Sequence, residues 1–180
     1  MATVKEKTEQ TDIEVTKEEE SPLTPEQREL EANNIVKNHV MVSMGLGIIP
    51  MPIVDLIGLT GTQLNMLRSL SNLYGQKFST DLGKKSIASL AGGTLSIPIA
   101  MGLSSLVKFV PIIGQTAGVI SMATTGGAST YAIGKIFIQH FEAGGTFLTF
   151  DPAKVREHFK AEFEKGKDVA KDIESKKAKA

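Results

Sequence analysis

The chain has 180 residues, with 20 Lys+Arg against 20 Asp+Glu and neither Cys nor Trp. That length predicts one domain with tails. The even charge balance leaves no electrostatic footprint for a nucleic-acid partner, and the lack of cysteine excludes a disulfide frame and thiolate chemistry.

The charges sit at the two ends. Met1–Glu31 holds 10 acids and 4 bases, Asp151–Ala180 holds 7 acids and 9 bases, and the middle is nearly bare. Met1–Glu20 is rich in Lys, Glu and Thr and has too little apolar surface to offset its ordering entropy, so residues 1–23 are expected to be a disordered acidic tail. This stretch lacks an apolar h-region, so no signal peptide is read. The protein is expected to be made in the cytosol and not secreted.

Thr24-Pro25-Glu26-Gln27 has the pattern of a capping box with Pro at the first helical position. It predicts a helix from Pro25 to about Gly47, polar at first and apolar from Ile35 onward. Ile49-Pro50-Met51-Pro52 ends that helix, because a residue before proline is pushed out of the α region. Pro50 and Pro52 make the corner of a first hairpin. A second helix is predicted from Ile53 to Tyr74, with Gly75 as its left-handed cap. Asp55 lies in its first turn, where the free N–H groups favour a carboxylate.

Thr80 or Ser79 caps a third helix, which leads through Lys84-Lys85 into the least charged part of the chain. Ser86–Gly134 spans 49 residues and contains a single charged group, Lys108. The arms on either side, Ser86–Val107 and Phe109–Gly134, are 22 and 26 residues long. About 20 mostly apolar residues cross a bilayer core as a helix, and Pro111 marks where the chain reverses. The stretch is expected to be a helical hairpin that enters a membrane, since soluble helices normally carry a polar face. Two features weigh the other way. The arms are rich in Gly, Ser, Thr and Ala, and there is no Trp for an interfacial belt. A hairpin buried inside a soluble bundle also fits.

In the second arm small residues recur every four positions, at Gly114, Gly118, Gly126, Thr130 and Gly134, interrupted by Met122. Such a stripe lets another backbone approach closely. It serves either packing within the chain or a seam between copies in a homo-oligomer. The helix runs to Glu142 and breaks at Gly144-Gly145. Thr146–Phe150 is expected to be short and extended. Asp151-Pro152 then caps an amphipathic last helix that reaches about Ile173. The predicted fold is all-α: about five helices forming two apolar hairpins over residues 24–150, with a charged amphipathic helix over residues 151–180.

No familiar catalytic constellation is present. His39, His140 and His158 stand alone without metal-ligand spacing. Gly83-Lys84-Lys85-Ser86 ends like a phosphate loop, but Phe78 stands where the earlier glycine is required. Neither a cofactor nor a catalytic residue is expected. Two polar residues stand out: Asp55, the only acid between Ala32 and Thr80, and Lys108. Each has two readings. Asp55 is a helix-capping carboxylate or an isolated functional one. Lys108 is a hairpin-tip anchor or a buried partner for a carboxylate.

Several segments resemble one family. Gly47-Ile-Ile-Pro50-Met-Pro52-Ile-Val-Asp55, Gln63-Leu-Asn-Met-Leu67 and Leu73-Tyr74-Gly75 resemble the opening of the domain of unknown function 697. His140-Phe-Glu-Ala-Gly-Gly145 and Phe150-Asp-Pro152 are similar to its closing motif. The resemblance covers about Ile35 to Phe159. It implies a helical, membrane-associated domain of no established activity, often fused behind a small GTPase domain that this sequence does not contain.

The expected function is therefore a non-enzymatic membrane anchor or scaffold. Its partners would be membrane lipid and a small GTPase or other membrane protein. A soluble bundle binding a protein or lipid is the alternative, and a small channel or pore subunit is a weaker one. Basic residues flank the long hairpin on both sides, which predicts both termini in the cytosol.

Overall fold

The computed structural model describes residues 23–46, 52–99 and 115–177, with side chains described for 23–46, 57–91 and 123–176. Within them the chain is all-α. Helix α1 spans Pro25–Leu46, α2 Pro52–Leu73, α3 Thr80–Ile99, α4 Gln115–Glu142 and α5 Arg156–Lys177.

The helix ends follow from local hydrogen bonds. At the start of α1 the capping box closes in both directions: the Gln27 amide donates to Thr24 Oγ1 (3.2 Å) and the Thr24 amide to Gln27 Oε1 (2.9 Å). After α2, Gly75 takes φ 64°, and the Gln76 amide reaches back to the Ser71 carbonyl at 2.7 Å. Gly144 repeats this after α4 with φ 79°, and the Gly145 amide donates to the His140 carbonyl at 2.8 Å. Glycine holds both positions because a left-handed residue costs it no Cβ clash. Ser79 caps α3 through the Leu82 amide (3.4 Å).

Two local expectations change. Thr146–Phe150 is a turn and not an extended segment. The Thr146 and Leu148 amides are taken by hydroxyls, Thr149 Oγ1 at 2.9 Å and Thr146 Oγ1 at 3.2 Å, and such side-chain bonds compete with regular structure. The last helix begins at Arg156 and not beside Asp151. Asp151 Oδ1 accepts the Ala153 amide at 3.0 Å, which holds a separate turn ahead of the helix.

Helix α4 is the centre of the bundle. It packs most extensively on α5 and α1, while α1 pairs with α2 and α2 with α3. The described parts of α3 and α4 meet only slightly. Contacts set the directions. A Cβ at Gly127 would meet Met44 and Ala170, and one at Gly134 would meet Val36, so α1 and α5 both run antiparallel to α4. Leu59 lies beside Gly126 and Met66 beside Gly134, so α2 runs parallel to α4. Leu64 lies against Gly83 and Arg68 over the Phe78 ring, so α3 runs back along α2.

The core residues Phe137, Phe159, Met66, Leu67, Leu70 and Ile133 are fully buried. Each such side chain contributes about 1.5–3 kcal/mol through burial. The ion pairs among the described residues join residues three apart along Asp151–Lys171. Among the described residues, apolar burial and hydrogen bonds therefore do the work of joining helices.

Candidate functional site

A polar seam runs where α1, α2 and α4 meet. Ser43 on α1 and Thr130 on α4 share a hydrogen bond of 2.8 Å. Gln63 on α2 donates its amide to Thr130 Oγ1 and Ser129 Oγ, both at 3.3 Å. Ser43, Gln63 and Thr130 are each at most 2 % exposed. Farther along, Lys135 Nζ donates to Asn33 Oδ1 at 3.0 Å. His39 Nδ1–H donates to the Ile35 carbonyl at 2.8 Å, leaving Nε2 to accept from Asn65 at 3.4 Å. Neutral interhelical bonds among small residues suit an apolar surrounding, where unpaired polar groups are costly.

Two members of the glycine stripe, Gly126 and Gly134, lie in this seam, and they differ. At Gly134 an added Cβ would stand 2.5 Å from Val36 Cγ2, whereas at Gly126 the nearest atom is the Ser43 carbonyl oxygen at 3.5 Å. Both positions face α1 and α2 of the same chain.

One end of the bundle is held by aromatic rings. Phe137 stacks on Phe150 with centroids 4.5 Å apart, and Phe147 meets both Phe137 and Phe141. His140 Nε2–H donates to the Thr146 carbonyl at 2.9 Å. A side chain at Gly145 would run into the His140 ring. The closing motif His140–Gly145 with Phe150 is thus a turn folded under its own aromatic residues. Tyr74 bridges the ends of α2 and α4, its hydroxyl donating to Glu142 at 2.9 Å. Burial, then the bond to Glu142, hold its ionisation well above the ordinary tyrosine value.

Among the described residues the other end has no such lock. There α1 ends at Leu46, α2 begins at Pro52, α3 ends at Ile99 and α4 begins at Gln115. Residues 92–122 contain one charge, Lys108. The flank above this end exposes Met41 (42 %), Val42 (53 %) and Ile57 (69 %). Registers from the contacts above place the last turn of α3 and the first turn of α4 past the start of α2.

Where its side chains are described, the long apolar stretch packs against protein: Ile87 and Leu90 of α3 are buried, and so is most of α4 from Ala123 onward, with Ala128, Ala132 and Ile133 having no exposed surface. Among the described residues no helix is long and apolar enough to cross a membrane. The composition gives the reason: α4 is rich in Gly, Ser and Thr, and α3 carries Asp81, Lys84 and Lys85 in its first half.

Of the residues singled out in the sequence, Gly126 and Gly134 are brought together with α1 and α2 in the seam. Pro52, Asp55 and Gly118 lie on described helical backbone, Asp55 being the fourth residue of α2, but their side chains lie outside the described residues. Pro50, Lys108, Pro111 and Gly114 lie outside them altogether, as does the acidic tail up to Pro22. The sequence reading missed Ser43 and placed Thr130 only in the stripe of small residues; the two are 87 positions apart. It also missed Glu162, which is 3 % exposed. Lys165 donates to Glu162 Oε1 at 2.7 Å, and the bond and charge raise the lysine's pKa. Glu162 Oε2 has no hydrogen-bond partner. Burial first, then the charge of Glu162, raise the pKa of Tyr131 across the same interface.

Among the described residues no group of His, Cys, Asp and Glu could hold a metal ion. The arrangement defines an all-helical bundle built for close helix packing, with a locked aromatic end and a charge-poor end. The chain belongs to the family described as domain of unknown function (DUF697), whose match covers residues 14–168. A curated relative is 38 % identical over 154 residues, covering 85 % of this chain and 79 % of the relative: magnetosome membrane protein 22 of Magnetospirillum gryphiswaldense. No solved structure matches the chain.

Proposed function

We propose that this protein is a non-enzymatic, membrane-associated helical anchor. It docks with its charge-poor end toward the bilayer and keeps its aromatic end and both termini on the cytosolic side. The observation that carries this reading is the one-sided distribution of charge. Four helix ends gather at this end, and in the sequence residues 92–122 carry only Lys108. The relative's name, a magnetosome membrane protein, supports a membrane setting. The polar seam fits it as well, since it holds the bundle together without surface ion pairs. The partner class, a small GTPase or another membrane protein, rests on the family resemblance, and the anchor would act as a scaffold for it.

Fractionation of cells expressing the full chain tests the reading. The protein should sediment with membranes, stay there in carbonate and be released by detergent. Recovery in the soluble fraction before any carbonate step would overturn membrane association. A reporter fused after Ala180 should be active in the cytosol, and activity only outside it would reverse the orientation.

A further inference from the structure

We propose that the corner built by the Thr146–Phe150 turn and the start of α3 is a docking face for an acidic, leucine-bearing helical segment of a partner protein. Leu148 is its apolar anchor, and Lys77, Lys84 and Lys85 are its charged rim. This deepens the scaffold reading above, on which it rests, by naming the face and the chemistry of the partner. Leu148 is 84 % exposed, the most of any large apolar side chain among the described residues. A lone exposed leucine is ordinary on a protein surface. This one is set apart by how firmly it is held. The Leu148 and Thr149 amides both donate to Thr146 Oγ1, at 3.2 and 3.4 Å, and the Thr146 carbonyl accepts from His140. Its apolar neighbours in the turn are tied down: Phe147 is 5 % exposed, and Phe150 stacks on Phe137. The turn fixes its two aromatic side chains inward and presents the leucine to solvent. An apolar side chain held this way loses little conformational freedom when a partner covers it, which suits an anchor.

The charge around the turn selects the partner. Phe147 meets the Phe78 ring edge-on, with centroids 5.7 Å apart, and Arg68 lies over the same ring at 5.1 Å. The loop that carries Lys77 and Phe78 therefore lies against the turn that carries Leu148. Helix α3 starts just after it at Thr80, and Lys84 and Lys85 follow about 6–8 Å along its axis. Lys77, Lys84 and Lys85 are all exposed. Among the described residues no ion pair takes up any of the three, and Asp81 is the single acid of residues 57–91. Such an excess of bases draws an acidic surface and rejects a basic one. The face lies at the aromatic end, which the membrane reading turns toward the cytosol, so its occupant is a protein and not the bilayer.

The test is fluorescence anisotropy of a short helical peptide of Leu, Ala and Glu with the full chain in nonionic detergent, beside the same peptide with Gln or Lys in place of Glu. The Glu peptide should bind about tenfold or more tightly than the other two. Leu148→Gln should weaken the Glu peptide about tenfold, the scale of one leucine side chain partly buried on binding, and should leave the thermal midpoint in place. The pair Lys84→Glu, Lys85→Glu should weaken it at least as much and shift the preference toward the Lys peptide. No binding of the Glu peptide, equal binding of all three peptides, or wild-type affinity in either variant overturns the docking face. Sedimentation of the same chain with membranes is scored separately. A chain that sediments with membranes and binds no Glu peptide loses only the docking face, whereas one that stays soluble loses the membrane reading whatever the peptide does.

Discussion

Gly134 and Gly126 look equivalent in sequence, and the structure predicts opposite effects of placing alanine at each. At Gly134 the new Cβ would lie 2.5 and 2.9 Å from the two γ-carbons of Val36 and 3.2 Å from Met66 Sδ. Carbon atoms pack best at about 3.5–4.0 Å, so α1 and α4 must part by roughly 1 Å. Val36 cannot turn aside, because a β-branched side chain in a helix has one favoured rotamer. Overpacking of this kind costs about 1–3 kcal/mol, while alanine in place of helical glycine returns about 0.5–1 kcal/mol. The net expectation for Gly134→Ala is a loss of about 1–2 kcal/mol, or a midpoint lowered by about 2–8 °C at this chain size. At Gly126 the nearest atom is at ordinary contact distance, 3.5 Å, so Gly126→Ala should gain about 0.5–1 kcal/mol. Val36→Ala alone should cost about 2 kcal/mol for two buried methyl groups. Combined with Gly134→Ala it should cost less than the sum, because the new methyl enters the vacated space, with a coupling of about 1 kcal/mol or more. Urea unfolding followed by far-ultraviolet circular dichroism measures all four. A Gly134→Ala protein as stable as wild type, or a cycle additive to within about 0.5 kcal/mol, would refute the close contact of α1 and α4.

Gly166→Ala should be worse than Gly134→Ala, about 3 kcal/mol. The obstacle there is the Ala128 backbone, oxygen at 2.8 Å and Cα at 2.9 Å. A loss under 1 kcal/mol in the same urea assay would contradict the α4–α5 packing. Thr130→Val should cost about 1–3 kcal/mol by stranding Ser43 and Gln63, while Thr130→Ser keeps the hydroxyl and most of the stability; equal losses in the two variants would show that the methyl matters and not the bond. The chain has two tyrosines and no Trp, and both tyrosines are shifted upward, so absorbance at the phenolate band should rise in the folded protein only above the ordinary value of about 10. A raised folded pKa means that the stabilisation is complete below the unfolded value and is lost as pH climbs through the folded one. Glu142→Gln should move the Tyr74 step down, and an unchanged titration would remove Glu142 as a cause. Asp55→Asn should cost about 1 kcal/mol or less if the carboxylate only favours the start of α2; a stable Asp55→Asn protein that no longer floats with vesicles would instead make Asp55 a functional residue.

The sequence by itself determined what short-range chemistry controls. Thr24 and Gln27 are three residues apart, so their capping box was legible before any fold was known, and so were the glycine cap at Gly75 and the helix break at Gly144. The charge-free interval and the all-α class were legible for a similar reason: hydrophobic and charge patterning is a property of the string. The turn at Thr146–Phe150 was harder, because its apolar residues suggest extension while two threonine hydroxyls hold it closed. Tertiary structure alone decided the rest. The spacing of four marked Gly126 and Gly134 as one stripe, yet only the partner across the interface separates an open position from a filled one. Ser43, Gln63 and Thr130 read as scattered polar residues until three helices bring them within hydrogen-bond reach. Glu162 reads as the polar face of an amphipathic helix, and becomes a buried carboxylate because α4 packs over it. The same enclosure takes half of the second apolar arm out of reach of lipid. Periodicity reports how apolar a face is, while burial depends on what covers it, and that covering comes from residues far away in the chain.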